Sequence, residues 1–380
     1  MHRFFRFKSV KENLTQIAIS GIRQFNQKAD QIEGVVKLTL GELDFNTPEA
    51  IKDAVLVALS ENKTRYTLNA GIEELRKKIV LKYDHYNDRE IIMTVGTTEG
   101  LSTIVKSIIN PGDEVIIPTP GYVGYEPLIL LDGGKVSPLD ITKTNFKITK
   151  AALEKAYTEK TKAMIITNPN NPTGLILDHE EMEIIKDFVL EKDILLISDE
   201  IYSDIDFTQS FKSFTKFPEL KENLIALNGF SKSHAMTGFR IGFMLSDELM
   251  TKHLLKTHQY SVTSATSISQ YAALKACDID NTDMILELKA RRDYVLSKLD
   301  ELALPYITPM GAFYIFIDIS KYSNSSTAFC EKLLYTGRVA CIPGETFLGN
   351  HTKYIRLSYA TSMENLEEAM KRVALFLEKI

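Results

Sequence analysis

The chain has 380 residues, 44% hydrophobic and 25% charged, with a formal net charge of -5. This composition is that of a globular protein with one large or two medium domains, and the acidic balance disfavours a nucleic-acid-binding role. No apolar run approaches the ~18 residues of a membrane-spanning helix, and residues 1–14 lack a signal-peptide core, so we expect no membrane insertion. The three cysteines, Cys277, Cys330 and Cys341, form no even framework and no CxxC pair, which indicates a reducing compartment and predicts a cytoplasmic protein.

Between residues 90 and 246, short β-branched runs alternate with amphipathic helical stretches. This is the pattern of βα units around a mainly parallel sheet. Residues 180–191 predict one of the helices, because Met182, Ile185 and Val189 form an apolar stripe at helical spacing. The predicted strands are 91–95, 114–118, 163–167, 194–198, 224–228 and 240–245.

The pattern changes at the Ser/Thr-rich segment 261–269. Two helical segments follow, the second over 282–303, and a final helix is predicted over 363–379. The strands predicted in this part are 313–319, 339–342 and 354–359. No internal repeat or Pro/Gly linker separates this smaller α+β unit from the larger one, so we expect the two to pack closely around a catalytic cleft.

Polar motifs follow two neighbouring predicted strands. Segment 168–174, NPNNPTG, combines prolines, asparagines and a glycine in a tight turn at a strand's carboxyl end, where open α/β sheets bind ligands. A plain turn is the alternative interpretation. Segment 199–202, DEIY, brings polar groups to the end of the next strand, although Asp199 could instead cap a following helix.

A third motif, 229–240 with the sequence GFSKSHAMTGFR, also follows a predicted strand. Lys232 lies there among small residues, with Arg240 further along the same loop. A lysine that is shielded from water and close to another positive charge loses its proton more readily, as a Schiff-base lysine must. A solvated surface lysine is the alternative.

The order and spacing of NPNNPTG, SDEIY and SKSHAMTGFR resemble the class I/II aminotransferases, with matching segments from 20 to 372. These are enzymes of fold type I that depend on pyridoxal 5'-phosphate (PLP). The resemblance implies an α/β fold with a mainly parallel seven-stranded sheet in a large PLP-binding domain, 46–283. Residues 1–45 and 284–380 would form an N-terminal arm and a small α+β domain. The implied activity moves an amino group between an amino acid and a 2-oxoacid.

The resemblance also implies roles for the residues around the cofactor ring. Lys232 would bind PLP as a Schiff base and move the proton between the substrate Cα and the cofactor. Asp199 would pair with the pyridine nitrogen and keep the ring an electron sink. Asn171 and Tyr202 would bind the ring's phenolate oxygen, and Tyr122 would stack on the ring, although a tyrosine there could simply pack.

The phosphate and the subunit contact follow from the same resemblance. Thr97 and Thr98 would meet the phosphate at a helix N-terminus, where a plain N-cap is the alternative. Arg240 would add a bidentate guanidinium contact and Ser231 a hydroxyl. Tyr66 matches a tyrosine that reaches the phosphate from the neighbouring subunit, which implies a homodimer with shared active sites.

For the substrate, the resemblance implies a carboxylate-binding strand and a nearby loop. Arg356 lies in an otherwise apolar run and would pair with the substrate carboxylate, with a buried structural ion pair as the alternative. Gly41 resembles the family loop whose backbone lies near that carboxylate, and Asn171 is assigned to the substrate as well as to the cofactor. No residue is assigned to a metal.

The choice of substrate depends on weaker signals. Aspartate-specific members often offer a second basic residue, but Glu99 lies where some have a lysine nearby, and 261–269 holds no arginine. A dedicated aspartate aminotransferase is therefore disfavoured, while recognition of 2-oxoglutarate by other groups stays open.

Segments 19–25 and 256–264 resemble a Gram-positive branch of N-acetyl-L,L-diaminopimelate aminotransferases of lysine synthesis and aromatic aminotransferases. His258, Gln259 and Tyr260 could line the distal pocket or pack within a helix, and His234 has no assigned role.

The sequence also bears on three other functions. A PLP-dependent carbon–sulfur β-lyase uses the same fold and begins with the same loss of the Cα proton, so it stays an alternative. A ligand-sensing regulator built on this fold adds a DNA-binding domain, and only about 40 residues precede the GELDF loop. A dehydrogenase is disfavoured because no GxGxxG follows the first predicted βα strand.

Overall fold

The computed structural model of the chain describes residues 11–39 and 41–380. Its α-helices are α1 (Gly21–Asp30), α2 (Glu49–Ser60), α3 (Glu73–Val80), α4 (Gly96–Ile108), α5 (Tyr125–Leu131), α6 (Lys150–Ala156), α7 (His179–Lys192), α8 (Glu248–Val262), α9 (Ser267–Ala276), α10 (Thr282–Glu301), α11 (Ser326–Lys332) and α12 (Met363–Leu377). Its strands are β1 (Val36–Lys37), β2 (Ile91–Thr94), β3 (Glu114–Thr119), β4 (Lys135–Asp140), β5 (Thr161–Thr167), β6 (Leu195–Asp199), β7 (Leu224–Gly229), β8 (Gly242–Leu245), β9 (Tyr306–Ile307), β10 (Tyr314–Asp318), β11 (Val339–Ala340), β12 (Ile342–Pro343) and β13 (Tyr354–Ser358). None of the helices in these ranges has the length and apolar character needed to cross a membrane.

The largest sheet has seven strands in the order β2-β8-β7-β6-β5-β3-β4. Strand β8 runs antiparallel to both neighbours, and the other pairs are parallel. The predicted α/β fold, with a mainly parallel seven-stranded sheet and a smaller α+β part, is therefore confirmed.

The sheet is buried because helices cover both of its faces. Alternate residues of β5 point to opposite faces. Ile165 belongs to an apolar cluster with Leu101 of α4, whereas Ile166 belongs to a cluster with Ile185 of α7. Strands covered on both sides read as nearly continuous apolar runs, which is why they were visible in the sequence.

The register of the central strands brings their carboxyl ends to one level. Thr167 of β5 is paired with Asp199 of β6, and Asp199 is paired with Leu227 of β7. The loops after these three strands therefore leave the sheet side by side. Parallel sheets bind ligands at this edge.

Each strand predicted between residues 90 and 246 is present, but β4 was not predicted. Its sequence KVSPLD contains Pro138, which cannot donate to a ladder hydrogen bond. Strand β4 lies at the edge of the sheet, where it pairs only with β3, and a proline is tolerated at such an edge.

The smaller part contains an antiparallel four-stranded sheet in the order β12-β13-β10-β9. The prediction of a single strand over 339–342 is wrong, because the chain forms two short strands on either side of the buried Cys341. Strand β11 pairs with β1 of the N-terminal region, whereas β12 pairs with β13. The domain limits 46–283 and 284–380 stay a prediction.

Candidate active site

The loops after β5, β6 and β7 carry the three motifs singled out in the sequence. Asn171 lies in the loop after β5, Asp199 is the last residue of β6, and Lys232 follows β7. Because these strands are adjacent and end at one level, the three side chains gather at the same edge of the sheet. The three motifs, which are far apart in the sequence, therefore lie close together in the fold.

Asp199 is a buried carboxylate with hydrogen bonds to both oxygens. Its Oδ2 accepts from the Tyr125 hydroxyl at 2.8 Å, and its Oδ1 accepts from the Ile201 backbone N–H at 3.3 Å. Burial raises the pKa of Asp199 to about 6, while these bonds and the charge of Lys232 oppose the rise. As for the capping alternative, the Asp199 side chain bonds the following turn only through the Ile201 backbone N–H.

Tyr125 is a site residue that the sequence did not single out. It lies at the start of α5 and is 2% exposed, and its hydroxyl also bonds the Thr167 hydroxyl at 2.5 Å. The oxygen of Asp199 that it reaches is 74 residues away along the chain, so no local pattern pointed to the contact. The nearby Tyr122, which was singled out, packs edge-on against Tyr125 with ring centroids 5.3 Å apart.

Lys232 lies half-buried in the cleft, and its Nζ donates to the carbonyl of Gly41 at 2.5 Å. Burial lowers the pKa of Lys232 to about 8, and the positive charge of Arg240 acts in the same direction, while Glu42 and Asp199 oppose it. No carboxylate of the described residues forms an ion pair with it. A larger fraction of the amine is therefore neutral near pH 8 than for a surface lysine.

Arg240 approaches the N-terminus of α4 through a gap that a glycine leaves open. A Cβ on Gly96 would lie 2.6 Å from Nη2 of Arg240, and Gly96 has a φ of +70°. Gly242 is similarly close to α4, since its Cβ would lie 3.0 Å from the backbone nitrogen of Thr97. A guanidinium beside the free N–H groups of a helix N-terminus forms a donor set for a dianion.

The other residues predicted to bind the phosphate differ in their exposure to solvent. Thr98 lies exposed in the first turn of α4, and Ser231 is buried in the loop that leads to Lys232. Tyr66 is 88% exposed. Its contact with the phosphate of a neighbouring subunit stays a prediction.

Arg356 in β13 is 1% exposed, but no carboxylate of residues 11–39 and 41–380 pairs with it. Its Nη1 donates to Oδ1 of Asn171 at 3.0 Å, its Nη2 donates to the carbonyl of Thr39, and its Nε is buried without a partner. The alternative of a buried structural ion pair is therefore wrong for the described residues. An unpaired buried guanidinium is costly unless a ligand anion completes it.

Tyr314 in β10 contacts several of the predicted site residues. The sequence did not identify it as a site residue. Its hydroxyl bonds that of Tyr202 at 3.0 Å, its ring lies 4.4 Å from the Arg356 guanidinium carbon, and a Cβ on Gly41 would collide with its hydroxyl. In the sequence it lies in the apolar run AFYIFID, which only indicates a core strand.

The candidates for the distal pocket do not gather in the cleft. His258 is fully buried between α8 and α4, where its Nδ1 bonds Oε1 of Glu99 at 3.1 Å. Gln259 and Tyr260 are exposed. His258 therefore packs between helices, as the alternative interpretation had it, and His234 bonds the hydroxyl of its neighbour Ser233.

The donor and acceptor set of the cleft matches the chemical groups of PLP. A desolvated amine can take an aldehyde, a buried carboxylate can take a ring N–H, and the Arg240 corner can take a phosphate. The family description that matches residues 33–373 is "Aminotransferase class I and II". The chain belongs to this family. It is an enzyme, and its cofactor is PLP, as the sequence predicted.

This aminotransferase is similar to several relatives over nearly its whole length. It is 40% identical to a probable N-acetyl-LL-diaminopimelate aminotransferase of Bacillus subtilis, covering 96% of this chain and 94% of that protein. It is 36% identical to aromatic-amino-acid aminotransferase 2 of Thermococcus litoralis, covering 98% and 99%. The crystal structure of an aspartate aminotransferase from Thermotoga maritima matches with a TM-score of 0.92 at 34% identity, covering 97% and 100%.

Proposed function

We propose that this aminotransferase moves an amino group to 2-oxoglutarate from N-acetyl-L,L-diaminopimelate or from an aromatic amino acid. The observation that supports an amino acid or 2-oxoacid substrate is the buried Arg356, which has no carboxylate partner in the described residues and acts on the pKa of Lys232. The choice of donor is supported by the relatives from Bacillus subtilis and Thermococcus litoralis. The α-carboxylate common to all amino acids and 2-oxoacids is the planar anion that a guanidinium binds best.

The ring residues divide the work of the reaction. Bound PLP supplies an aldehyde that takes the amino group and a ring that accepts electrons from Cα. In the proposal, Lys232 holds the cofactor and moves the proton at Cα, and Asp199 keeps the ring nitrogen protonated. Asn171 and Tyr202 bind the ring oxygen, and Tyr122 covers the ring face.

The outer contacts hold the cofactor and the substrate in register. Thr97, Thr98, Ser231 and Arg240 are assigned to the phosphate, and Tyr66 is assigned to the phosphate of a partner subunit in a homodimer. The backbone of Gly41 and the side chains of Asn171 and Arg356 are assigned to the substrate. A position in lysine biosynthesis and a cytoplasmic location belong to the same proposal.

An aspartate-type activity is the second candidate, because the similar structure from Thermotoga maritima is an aspartate aminotransferase. Glu99 argues against it, since this carboxylate is engaged with His258, Thr103 and the Val95 backbone and adds negative charge beside the cofactor pocket. A carbon–sulfur β-lyase would use the same residues and differs only in the fate of the substrate.

The test replaces Lys232 with alanine and follows the visible absorption of the cofactor as single amino acids are added. We expect the natural enzyme to change its spectrum with glutamate and with N-acetyl-diaminopimelate or phenylalanine, and Lys232→Ala to lose this response while keeping its fold. Lys252→Ala is the matched control, because Lys252 pairs on the surface with Glu248 at 2.8 Å.

Each other result has a distinct meaning. Release of pyruvate from cystathionine or cysteine without transamination would favour the lyase. A response to aspartate alone would favour the second candidate. Full activity of Lys232→Ala would show that the proposed site is not the active site.

A further inference from the structure

Helix α1 carries a basic residue, Arg23, to which no role has yet been given. Its buried residues, Phe25 and Ala29, pack into the core, and its first residue, Gly21, lies so close to Thr346 that a Cβ would come within 2.9 Å of that side chain. Arg23 lies in the first turn of the same helix. The position of α1 is therefore fixed by packing at both of its ends.

A chain of hydrogen bonds connects α1 to the buried arginine of the cleft. The Thr39 hydroxyl donates to Oδ1 of Asn26 at 2.8 Å, and the Thr39 carbonyl accepts from Nη2 of Arg356. Arg23 precedes Asn26 by three residues, and side chains at that spacing lie on the same face of a helix. Arg23 therefore lies on the same face of α1 as Asn26, the face that bonds Thr39.

The pKa of Tyr122 supports this placement of Arg23. Burial and the charge of Asp199 raise the pKa of Tyr122, and the Arg23 guanidinium opposes the rise more strongly than Arg356 or Arg240 does. The positive charge of Arg23 thus acts at Tyr122, the residue proposed to cover the cofactor ring.

Arg23 has no ion pair or side-chain hydrogen bond with any described residue, in contrast to the other cations near α1. Lys28 on the same helix pairs with Glu331 at 2.7 Å, and Lys37 pairs with Asp30 at 2.7 Å. Arg23 is also exposed. A solvated guanidinium that has no partner among the described residues, and whose charge acts on Tyr122, is available to an anion that enters the cleft.

We propose that Arg23 binds the distal carboxylate of five-carbon dicarboxylic substrates, 2-oxoglutarate and glutamate, while Arg356 binds their α-carboxylate. The inference rests on the proposed function and adds the group that selects the acceptor. Because Arg23 is solvated, its long side chain stays in water when a neutral or aromatic substrate occupies the cleft, and no unpaired charge is buried. One pocket then accepts both a dicarboxylic acceptor and an apolar donor.

The direct test measures binding of two unreactive probes, glutarate and butyrate, to the holoenzyme by calorimetry. Both probes carry one carboxylate for Arg356, and only glutarate carries a second. We expect Arg23→Gln to reduce the preference for glutarate over butyrate by roughly 10- to 100-fold, the range of a charge-assisted hydrogen bond. Arg23→Lys should recover part of the preference, since it keeps the charge and loses the planar fork.

Lys28→Gln is the matched control, because it removes the same charge from the same helix at a site paired with Glu331. Its glutarate preference should equal that of the natural enzyme. The inference is overturned if Arg23→Gln keeps the preference, or if it weakens both probes equally. An enzyme that transaminates no donor would instead overturn the proposed function, whatever the probes do.

Steady-state kinetics give a second readout. The ratio of KM for 2-oxoglutarate to KM for phenylpyruvate should rise roughly 10-fold or more in Arg23→Gln. A fall in kcat with an unchanged KM ratio would indicate a structural role for Arg23 and would overturn the inference.

Discussion

Two buried arginines lie in different regions of the molecule and have different kinds of partner. Arg291 on α10 is 6% exposed and donates to Asp44 at 2.6 Å and to Glu287 at 2.9 Å. Arg356 in the cleft is 1% exposed, and its partners among the described residues are the neutral oxygens of Asn171 and Thr39. The first charge is neutralised by the fold itself, and the second is left for a ligand.

This difference separates a structural charge from a functional one. A buried charge without a counterion destabilises the protein, so the fold bears a cost at Arg356 that it does not bear at Arg291. Substrate binding then recovers that cost. Replacing Arg356 should therefore lower activity without lowering stability. Replacing Arg291 should lower stability and leave activity largely unchanged.

The largest effect is expected from Arg356→Met, which keeps much of the volume and removes the charge. We expect kcat/KM for amino acids to fall by roughly 100- to 1000-fold, because the substrate carboxylate enters a site without its cation. The free energy of unfolding in urea should stay the same or increase. A large loss of stability would mean that the guanidinium serves the fold, and that the comparison fails.

The reverse pattern is expected for Arg291→Met. Its loss leaves two carboxylates without their cation, and since both are partly exposed we expect the free energy of unfolding to fall by about 2 kcal/mol. Activity should be largely retained, because Thr237 and Thr47 hold the adjacent loop through separate hydrogen bonds. Urea denaturation and steady-state kinetics on the same preparation check both parts, and a loss of activity without a loss of stability would contradict the assignment.

A smaller effect is expected at Asp199, the buried anion of the same cleft. Tyr125→Phe removes the hydroxyl that donates to Asp199 at 2.8 Å, so kcat should fall about 10-fold. The lost bond favoured the carboxylate, so the pKa of Asp199 should rise above its value of about 6. The ionised fraction then falls at any given pH, and the acid limb of PLP binding moves to higher pH.

Tyr359→Phe is the control for Tyr125→Phe. Tyr359 is equally buried, and its hydroxyl donates to the Ala312 carbonyl at 3.2 Å, with no bond to Asp199. Tyr359→Phe should leave the pH dependence of PLP binding unchanged. An equal shift in both variants would show that the loss of any buried tyrosine hydroxyl, rather than of the bond to Asp199, moves the acid limb.

The sequence predicted the parts of the site that lie next to strand ends. Asn171, Asp199 and Lys232 follow apolar runs that could only be buried strands, and the parallel order of those strands brings their ends together. Strand β4 was missed because Pro138 and its polar neighbours do not resemble a strand, and only its position at the sheet edge makes them acceptable.

Contacts between distant segments were not predictable in the same way. Tyr125 and Tyr314 lie in apolar stretches, and their partners Asp199 and Tyr202 come from other parts of the chain. Arg23 belonged to a segment noted only for its resemblance, and its place beside the cleft depends on how α1 packs. A one-dimensional pattern identifies residues that are unusual in their local context, and these residues are not.

The carbonyl of Gly174 accepts hydrogen bonds from the backbone N–H groups of both Met310 and Gly311. The loop that holds Asn171 is thereby fastened to the segment before β10, and Asn171 itself bonds Arg356 on the neighbouring strand. These bonds restrain the loop that holds Asn171 relative to the four-stranded sheet that holds Arg356. Asn171 and Arg356 therefore come from two different sheets, yet they are held in a fixed arrangement relative to one another before a ligand binds.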